Sequence, residues 1–238
     1  AEKRKTRFSR VGGLLRTHHI YLTQPHLHVS EDHLCESRAD GTVSRRHSVS
    51  RLSSPCHERA DGSDSSLLVP MPNVLVPIAD GSEEIETTGI QDTLVRAGCT
   101  VTLASVMPDK KTTCKMSRGL NILADKTIDE CVDETWDAIV LPGGMPGAEH
   151  LRDSAPLADM LKKQKAGGSG IYAAICASPA VVFTAHDLLP ASGATCYPAP
   201  AFKEKVPGRS DARVVVDGKC VTSQGPGTAI EFGLKLAE

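Results

Sequence analysis

Short apolar runs alternate with segments of helical spacing through the second part of the chain, and this alternation limits the possible fold more than any other feature. The runs are apolar throughout rather than at every second position, which is typical of strands buried on both faces of a sheet. Strands and helices that alternate in this way form a parallel sheet with helices on both sides. The predicted strands are 73–80 (NVLVPIAD), 99–105 (CTVTLAS), 137–144 (DAIVLPGG) and 170–176 (GIYAAIC), with a short extended piece at 120–125 (LNILAD).

Three helices and a hairpin complete the pattern. Apolar residues recur at helical spacing in 84–98, which ends at a glycine, and in 155–167. A third helix is predicted to begin with Pro226 and to continue to the last residue. The segment 212–224 carries Asp-Gly between two apolar runs, which predicts a β-hairpin. Together these elements predict a three-layer α/β/α sandwich with a mostly parallel sheet.

Ligand sites in such sheets collect beyond the carboxyl ends of the strands. Three features fall at that edge, namely the turn after residue 80, the glycine turn after residue 141, and Cys176. The sequence therefore predicts that they form one site.

Cys176 lies in the stretch YAAICASPA, where a buried strand meets the start of a helix. Ala174 and Ser178 occupy the two glycine places of the nucleophile elbow G-x-S-x-G, and small residues there prevent a steric clash. Unpaired N–H groups at the start of a helix favour a thiolate, which predicts a pKa below the ordinary value of about 8.5. A buried cysteine between apolar residues is also a common core residue. The pattern alone leaves both interpretations open.

Two further groups can supply chemistry at the same edge. The glycine turn 142–148 (PGGMPGA) presents backbone N–H groups that can join that of Ala177 in stabilising an oxyanion. Glu83, Glu84 and Glu86 open the first helix. Glutamates in a first turn commonly interact only with the helix dipole, but one that points inward is a candidate general acid or base.

The cysteine spacing argues against a disulfide scaffold and against structural zinc. The chain has eight cysteines, without a C-x-x-C pair or a secretory apolar segment. We therefore expect a reducing compartment, no metal and free thiols at these positions: Cys35, Cys56, Cys99, Cys114, Cys131, Cys176, Cys196 and Cys220.

Residues 1–70 differ in composition from the rest of the chain. They hold seven of the nine histidines and 11 Lys and Arg against 8 Asp and Glu, whereas residues 71–238 hold 16 against 21. They show no sustained apolar periodicity, so we interpret 1–70 as a disordered, basic, Ser/Arg/His-rich extension and 71–238 as the folded domain. We expect a cytoplasmic protein, or an organellar one, such as a chloroplast protein, if this extension is a transit peptide. No apolar run approaches the roughly 20 residues that span a bilayer, and no nucleic-acid-binding module is recognisable.

Four segments together resemble the ThiJ/PfpI superfamily, specifically its branch of parkinsonism-associated protein deglycases and glutathione-independent glyoxalases. The resemblance covers about residues 72–238, and the motifs are in the family's order and spacing: PIADGSEEIET, AIVLPGGMPGAEHLRDS, AAICASPA and SQGPGTAIEFGL. It implies a flavodoxin-like sandwich of the class I glutamine amidotransferase type and a homodimer. It also implies cofactor-free chemistry with a nucleophilic cysteine beside a protonated glutamate.

Carried over by position, the resemblance assigns the nucleophile to Cys176 and its acid partner to Glu86. It further implies that Gly143, Gly144 and Ala177 surround the oxyanion and that Arg118 lies near the site at the dimer contact. Several members of the family carry a histidine where this chain has Tyr197. Long members also continue past the position of Glu238 with a further helix that covers part of the site or dimer edge.

The activity implied by the resemblance is conversion of glyoxal or methylglyoxal to the 2-hydroxy acid, together with removal of early glycation adducts from proteins. A second hypothesis is a redox-sensing protein or chaperone that responds to oxidative stress through the same thiol. A third, cysteine peptidase activity, is disfavoured, since relatives with that activity have a histidine directly after the nucleophile, where this chain has Ala177. His150 and His186 are expected to be surface or helix residues rather than catalytic bases.

Overall fold

The computed structural model describes residues 71–167 and 170–238. The predicted extension 1–70 lies outside the described residues, so it stays a prediction. Within the described part, no helix is long and apolar enough to cross a bilayer.

A seven-stranded sheet forms the middle layer, in the order β5-β2-β1-β6-β7-β9-β8. All neighbouring strands pair in parallel except β8 and β9, which form the predicted antiparallel hairpin. The mostly parallel sandwich predicted from the sequence is therefore confirmed. The strands of this sheet are β1 (Asn73–Ile78), β2 (Thr100–Ser105), β5 (Lys126–Thr127), β6 (Ala138–Leu141), β7 (Ile171–Ile175), β8 (Val214–Asp217) and β9 (Cys220–Ser223).

A separate two-stranded hairpin is formed by β3 (Thr113–Lys115) and β4 (Asn121–Leu123), which pair antiparallel. Of these short elements, only β4 falls in a segment predicted to be extended. The helices are α1 (Glu84–Arg96), α2 (Gly147–Asp153), α3 (Ala155–Ala166), α4 (Pro200–Lys203) and α5 (Ala229–Ala237), with 3₁₀ turns at Ile128–Cys131 and Pro226–Thr228 and a π-helical turn at Pro179–Phe183.

Two apolar cores lie on opposite faces of the sheet because successive side chains of a strand point to opposite sides. Val76 of β1 packs in one core with Ile90 of α1 and Phe232 of α5. Its neighbour Leu75 packs in the other core with Leu157 of α3. Helices thus cover both faces, as the continuous apolar strands predict.

The strand order places the predicted site at one edge of the sheet. After β1 the chain adds β2 on one side and then returns to add β6 on the other. The segments that follow β1, β6 and β7 therefore meet at the shared carboxyl edge of these parallel strands.

Candidate active site

Cys176 lies on a strained turn directly after β7. Its φ angle is 66°, in the left-handed region that residues other than glycine rarely adopt. The backbone there is held on both sides, since its N–H donates to the Ser223 carbonyl at 3.0 Å and its carbonyl accepts from the Tyr197 N–H at 2.8 Å. Ser178 secures the next turn by donating to the Pro142 carbonyl at 2.5 Å. The predicted elbow is therefore present.

Three glutamates at the start of α1 have three different roles. Glu83 caps the helix, because its Oε2 accepts from the Glu86 N–H at 2.8 Å. Glu84 accepts from the Arg118 N–H at 2.8 Å and so holds the loop that carries Arg118. Glu86 is fully buried, and its Oε2 accepts from the Gly143 N–H at 2.7 Å. Glu86 is the one that points inward.

The Glu86 carboxyl group and Cys176 both pack closely against Gly143. A Cβ at this position would lie 2.6 Å from the Cys176 Cβ and 3.0 Å from the Glu86 Oε2. No side chain fits in that space, so glycine permits the close approach. Its N–H already binds Glu86. Gly143 therefore positions the carboxyl group through its N–H, and its predicted place beside an oxyanion stays a prediction.

The backbone N–H groups of Gly144 and Ala177 face the Cys176 sulfur. Gly144 has a φ angle of 88°, and a Cβ there would lie 2.3 Å from the Gly81 carbonyl oxygen. The turn after β6 thus depends on glycine at this position to aim its N–H at the sulfur. Negative charge on an atom bound near that sulfur would be stabilised by both donors.

The pKa values of the two acidic groups are coupled. Burial raises the pKa of Glu86 to about 7, against the lowering effect of the Gly143 N–H and the Cys176 thiol. Burial makes the largest contribution to raising the pKa of the Cys176 thiol, and the charge of Glu86 raises it further. The N–H groups of Gly144 and Ala177 offset only part of this increase. The lowered thiol pKa expected from the sequence is therefore wrong. The Glu86 carboxyl can therefore take up and release a proton near neutral pH.

The raised pKa of Glu86 predicts how stability changes with pH. The ordinary pKa of a glutamate is 4.5, and the pKa of Glu86 in the folded protein is about 7. Between these two pH values Glu86 is protonated in the folded protein but ionised in the unfolded chain. Stabilisation by this proton is complete below pH 4.5 and is lost as the pH rises through 7. From pH 5 to pH 8 we expect the free energy of unfolding to fall by about 2.5 kcal/mol relative to Glu86→Gln, which does not titrate.

Urea unfolding of both proteins at several pH values measures this difference. Glu204→Gln is the matched control because Glu204 is exposed. The control should follow the wild-type pH profile, and parallel profiles for the wild type and Glu86→Gln would contradict the assignment.

A cavity of about 440 Å³ opens above the sulfur. Cys176, Gly144, Ala177, Arg118 and Tyr197, all predicted from the sequence, line it. The sequence assigned no place in this cavity to the remaining lining residues, although Glu83, Ile85, Met145 and Pro226 lie within the quoted motifs: Glu83, Ile85, Ser117, Met145, Phe202 and Pro226.

Tyr197 stands at the mouth of this cavity and is 41% exposed. Its ring meets that of Phe202 edge-on, with the ring centroids 6.1 Å apart. The ring also lies against Gly225, where a Cβ would come within 3.2 Å of the ring and 3.9 Å of the Glu86 Oε1. Tyr197 and the Glu86 carboxyl group therefore both lie near Gly225.

The histidines of the domain lie elsewhere. His186 binds the Arg152 carbonyl through Nε2 at 2.8 Å, and His150 lines a different cavity with Met107. Neither lines the cavity above Cys176. Within the described ranges, no three His, Cys, Asp or Glu side chains cluster as metal ligands would.

The other described cysteines differ from Cys176 in their surroundings. All six described cysteines are free thiols. Burial raises the pKa of the other five as well, so a lowered pKa distinguishes none of them. Cys176 is distinguished by its strained backbone, its two N–H donors and its cavity.

Comparison with known proteins agrees with this geometry. Residues 72–238 match the model of the DJ-1/PfpI family. "Protein DJ-1 homolog B" of Arabidopsis thaliana is 46% identical over 167 residues, which cover 70% of this chain and 37% of that protein. The chain thus matches little more than a third of that relative's length.

Two further proteins match over most of their own length. The structure "Toxoplasma gondii DJ-1, oxidized" is 52% identical with a TM-score of 0.66, over 69% of this chain and 88% of that one. "Glutathione-independent glyoxalase DJR-1.2" of Caenorhabditis elegans is 36% identical, over 69% of this chain and 86% of that protein.

Proposed function

The chain belongs to the DJ-1/PfpI family, and from this premise we propose that it is a cofactor-independent glyoxalase that converts glyoxal and methylglyoxal to 2-hydroxy acids. One observation carries the proposal. A buried carboxyl group with a pKa of about 7 lies against a cysteine that opens into a cavity. This is the pairing that a nucleophile and a proton carrier require.

The first step forms a bond between the Cys176 sulfur and the aldehyde carbon. Glu86 takes the thiol proton as the sulfur attacks, and the aldehyde oxygen gains negative charge. The N–H groups of Gly144 and Ala177, which face the sulfur, are placed to stabilise that charge. Return of the proton to this oxygen gives a hemithioacetal.

The second step moves hydrogen between the two carbons. Glu86 removes the proton from the former aldehyde carbon and delivers it to the neighbouring carbonyl carbon. The hydroxyl proton on the former aldehyde oxygen passes to the oxygen of that carbonyl, which leaves a 2-hydroxyacyl thioester. A carboxyl group with a pKa near the working pH suits both halves of this transfer. Water then cleaves the thioester and regenerates the thiol, so one aldehyde and one water give one 2-hydroxy acid. The oxidation of one carbon balances the reduction of the other.

The test is formation of lactate from methylglyoxal by the purified chain without glutathione. Enzymatic lactate formation that depends on Cys176 supports the proposal, and its absence from folded protein rejects it.

Members of this family are commonly dimeric. We therefore propose that the active form is a homodimer and that the assay be run beside a measurement of mass in solution.

A modest effect is expected for Tyr197→Phe. No hydrogen bond of the Tyr197 hydroxyl occurs among the described residues. Its O–H can still donate to substrate or to the carboxyl group. Loss of one such bond should lower kcat/KM about fivefold.

The control for this variant is Tyr172→Phe, the same change at a buried core ring. Complete loss of activity in folded Tyr197→Phe would contradict the role of a hydrogen-bond donor and indicate one in proton transfer.

A redox-sensing role is the second candidate function. It is favoured by the position of the Cys176 sulfur, which faces a cavity, two N–H donors and a carboxyl group able to donate a proton. The same groups would stabilise a sulfinate formed by peroxide. Partner binding that depends on the oxidation state of Cys176, in a protein without aldehyde turnover, would favour this function over the first.

A further inference from the structure

The cavity above Cys176 is much larger than methylglyoxal. Its volume of about 440 Å³ lies in the range of sites that bind drug-sized ligands. Methylglyoxal has five non-hydrogen atoms, so it fills only a small part of this space when the aldehyde carbon contacts the sulfur.

Polar and apolar groups are separated within the cavity. The groups that hold the reacting carbonyl lie around the sulfur: Cys176, Gly144 and Ala177. Much of the wall is apolar and reaches solvent, since Ile85 is 57% exposed and Met145 43% exposed. Phe202 and Pro226 add further apolar surface. Exposed apolar residues grouped around one opening are typical of a binding groove.

Two apolar residues of the cavity wall, Met145 and Phe202, are neighbours. Met145 and Phe202 also line a neighbouring cavity together, so these two residues lie close to each other. Ser117 and Arg118 form a polar part of the lining. A smaller cavity of about 190 Å³ shares Tyr197 and Pro226 with the first. A chain of carbons therefore has room along this wall.

We infer that the preferred substrates are 2-oxoaldehydes with an apolar substituent of about four to six carbons, which contacts Met145, Phe202 and the ring of Tyr197. The inference rests on the proposed glyoxalase function and specifies its substrate class. The chemistry is unchanged, since the sulfur adds to the aldehyde carbon and one water is consumed for each 2-hydroxy acid formed. Only the contacts of the substituent differ.

The test is a series of straight-chain alkylglyoxals from methylglyoxal to hexylglyoxal, with the 2-hydroxy acids measured by chromatography. Each methylene that leaves water should raise kcat/KM about fourfold. Pentylglyoxal, which has four more methylenes than methylglyoxal, should then be preferred by a factor on the order of 10². The gain should appear mainly in KM, because these contacts bind the ground state and the transition state alike.

Variants of the wall locate the contact. Phe202→Ala and Met145→Ala should each reduce the pentylglyoxal-to-methylglyoxal ratio of kcat/KM about tenfold or more, and Phe202→Leu should restore part of it. Val216→Ala is the matched control, since Val216 is an exposed apolar residue on β8 that does not line the cavity. Its ratio should equal that of the wild type.

The outcomes separate the two proposals. Conversion of methylglyoxal with a ratio near one for longer chains overturns the substrate class and leaves the glyoxalase function standing. If no alkylglyoxal is converted, the function itself fails. Calorimetric binding of the same series to Cys176→Ala then tests the cavity without turnover, and an affinity that does not rise with chain length overturns the inference.

Discussion

Cys176→Ala is expected to abolish lactate formation from methylglyoxal, with a loss of more than about a thousandfold in kcat. The reason is chemical, since alanine has no atom that can form the bond to the aldehyde carbon. The fold should persist, because the change removes one sulfur atom from a residue that already faces a cavity. Circular dichroism and thermal unfolding check the fold in the same samples.

Cys99→Ala is the matched control for this variant. Cys99 is a half-buried thiol that does not line the cavity, so its loss should leave turnover unchanged. Mass spectrometry of tryptic peptides after mild peroxide gives a second readout, in which Cys176 gains oxygen before Cys99 or Cys220. Retained turnover in Cys176→Ala, or earlier oxidation of the other thiols, would show that Cys176 is only a core residue.

Glu86→Gln should lower kcat by about 10²- to 10⁴-fold while the protein remains folded. The amide keeps the shape of the carboxyl group, and its oxygen can still accept from the Gly143 N–H. It cannot carry a proton between the two carbons. Binding should change less than catalysis, so the loss should appear in kcat more than in KM.

The pH profile distinguishes proton transfer from mere positioning by Glu86. The wild-type kcat should show a titration near the pKa of about 7 that burial gives to this group, and the residual activity of Glu86→Gln should lack it. Glu204→Gln serves as the control and should keep the wild-type profile. A variant that retains both kcat and the titration would assign the proton carrier to another group.

The parallel core of the fold was predictable because its signals are local and strong. The strands β1, β6 and β7 are continuous apolar runs, and α3 has clear helical spacing. The two residues of β5 and the three of β3 were not predicted, since elements so short are held by pairing with β2 and β4 rather than by their own propensity. Ile85, which helical spacing groups with the apolar face of α1, instead lines the cavity.

The candidate site was predictable only in part. The elbow at Cys176 has a local signature in its small neighbours and in Pro179. Residue pattern alone could not select Glu86 among three adjacent glutamates, because the inward direction follows from helix α1 beginning at Glu84, and the family resemblance made that choice. The thiol pKa was predicted in the wrong direction, because burial and the nearby carboxylate depend on the tertiary structure.

The left-handed backbone of Cys176 limits how far this protein can be stabilised without losing its chemistry. A non-glycine residue in that conformation costs about 1–3 kcal/mol, which the surrounding sheet must offset. Selection for thermal stability alone would favour glycine at this position, since glycine adopts the same φ without strain, and would thereby remove the nucleophile. A program that ranks substitutions by folding free energy should therefore hold position 176 fixed and seek its gains at surfaces remote from the elbow.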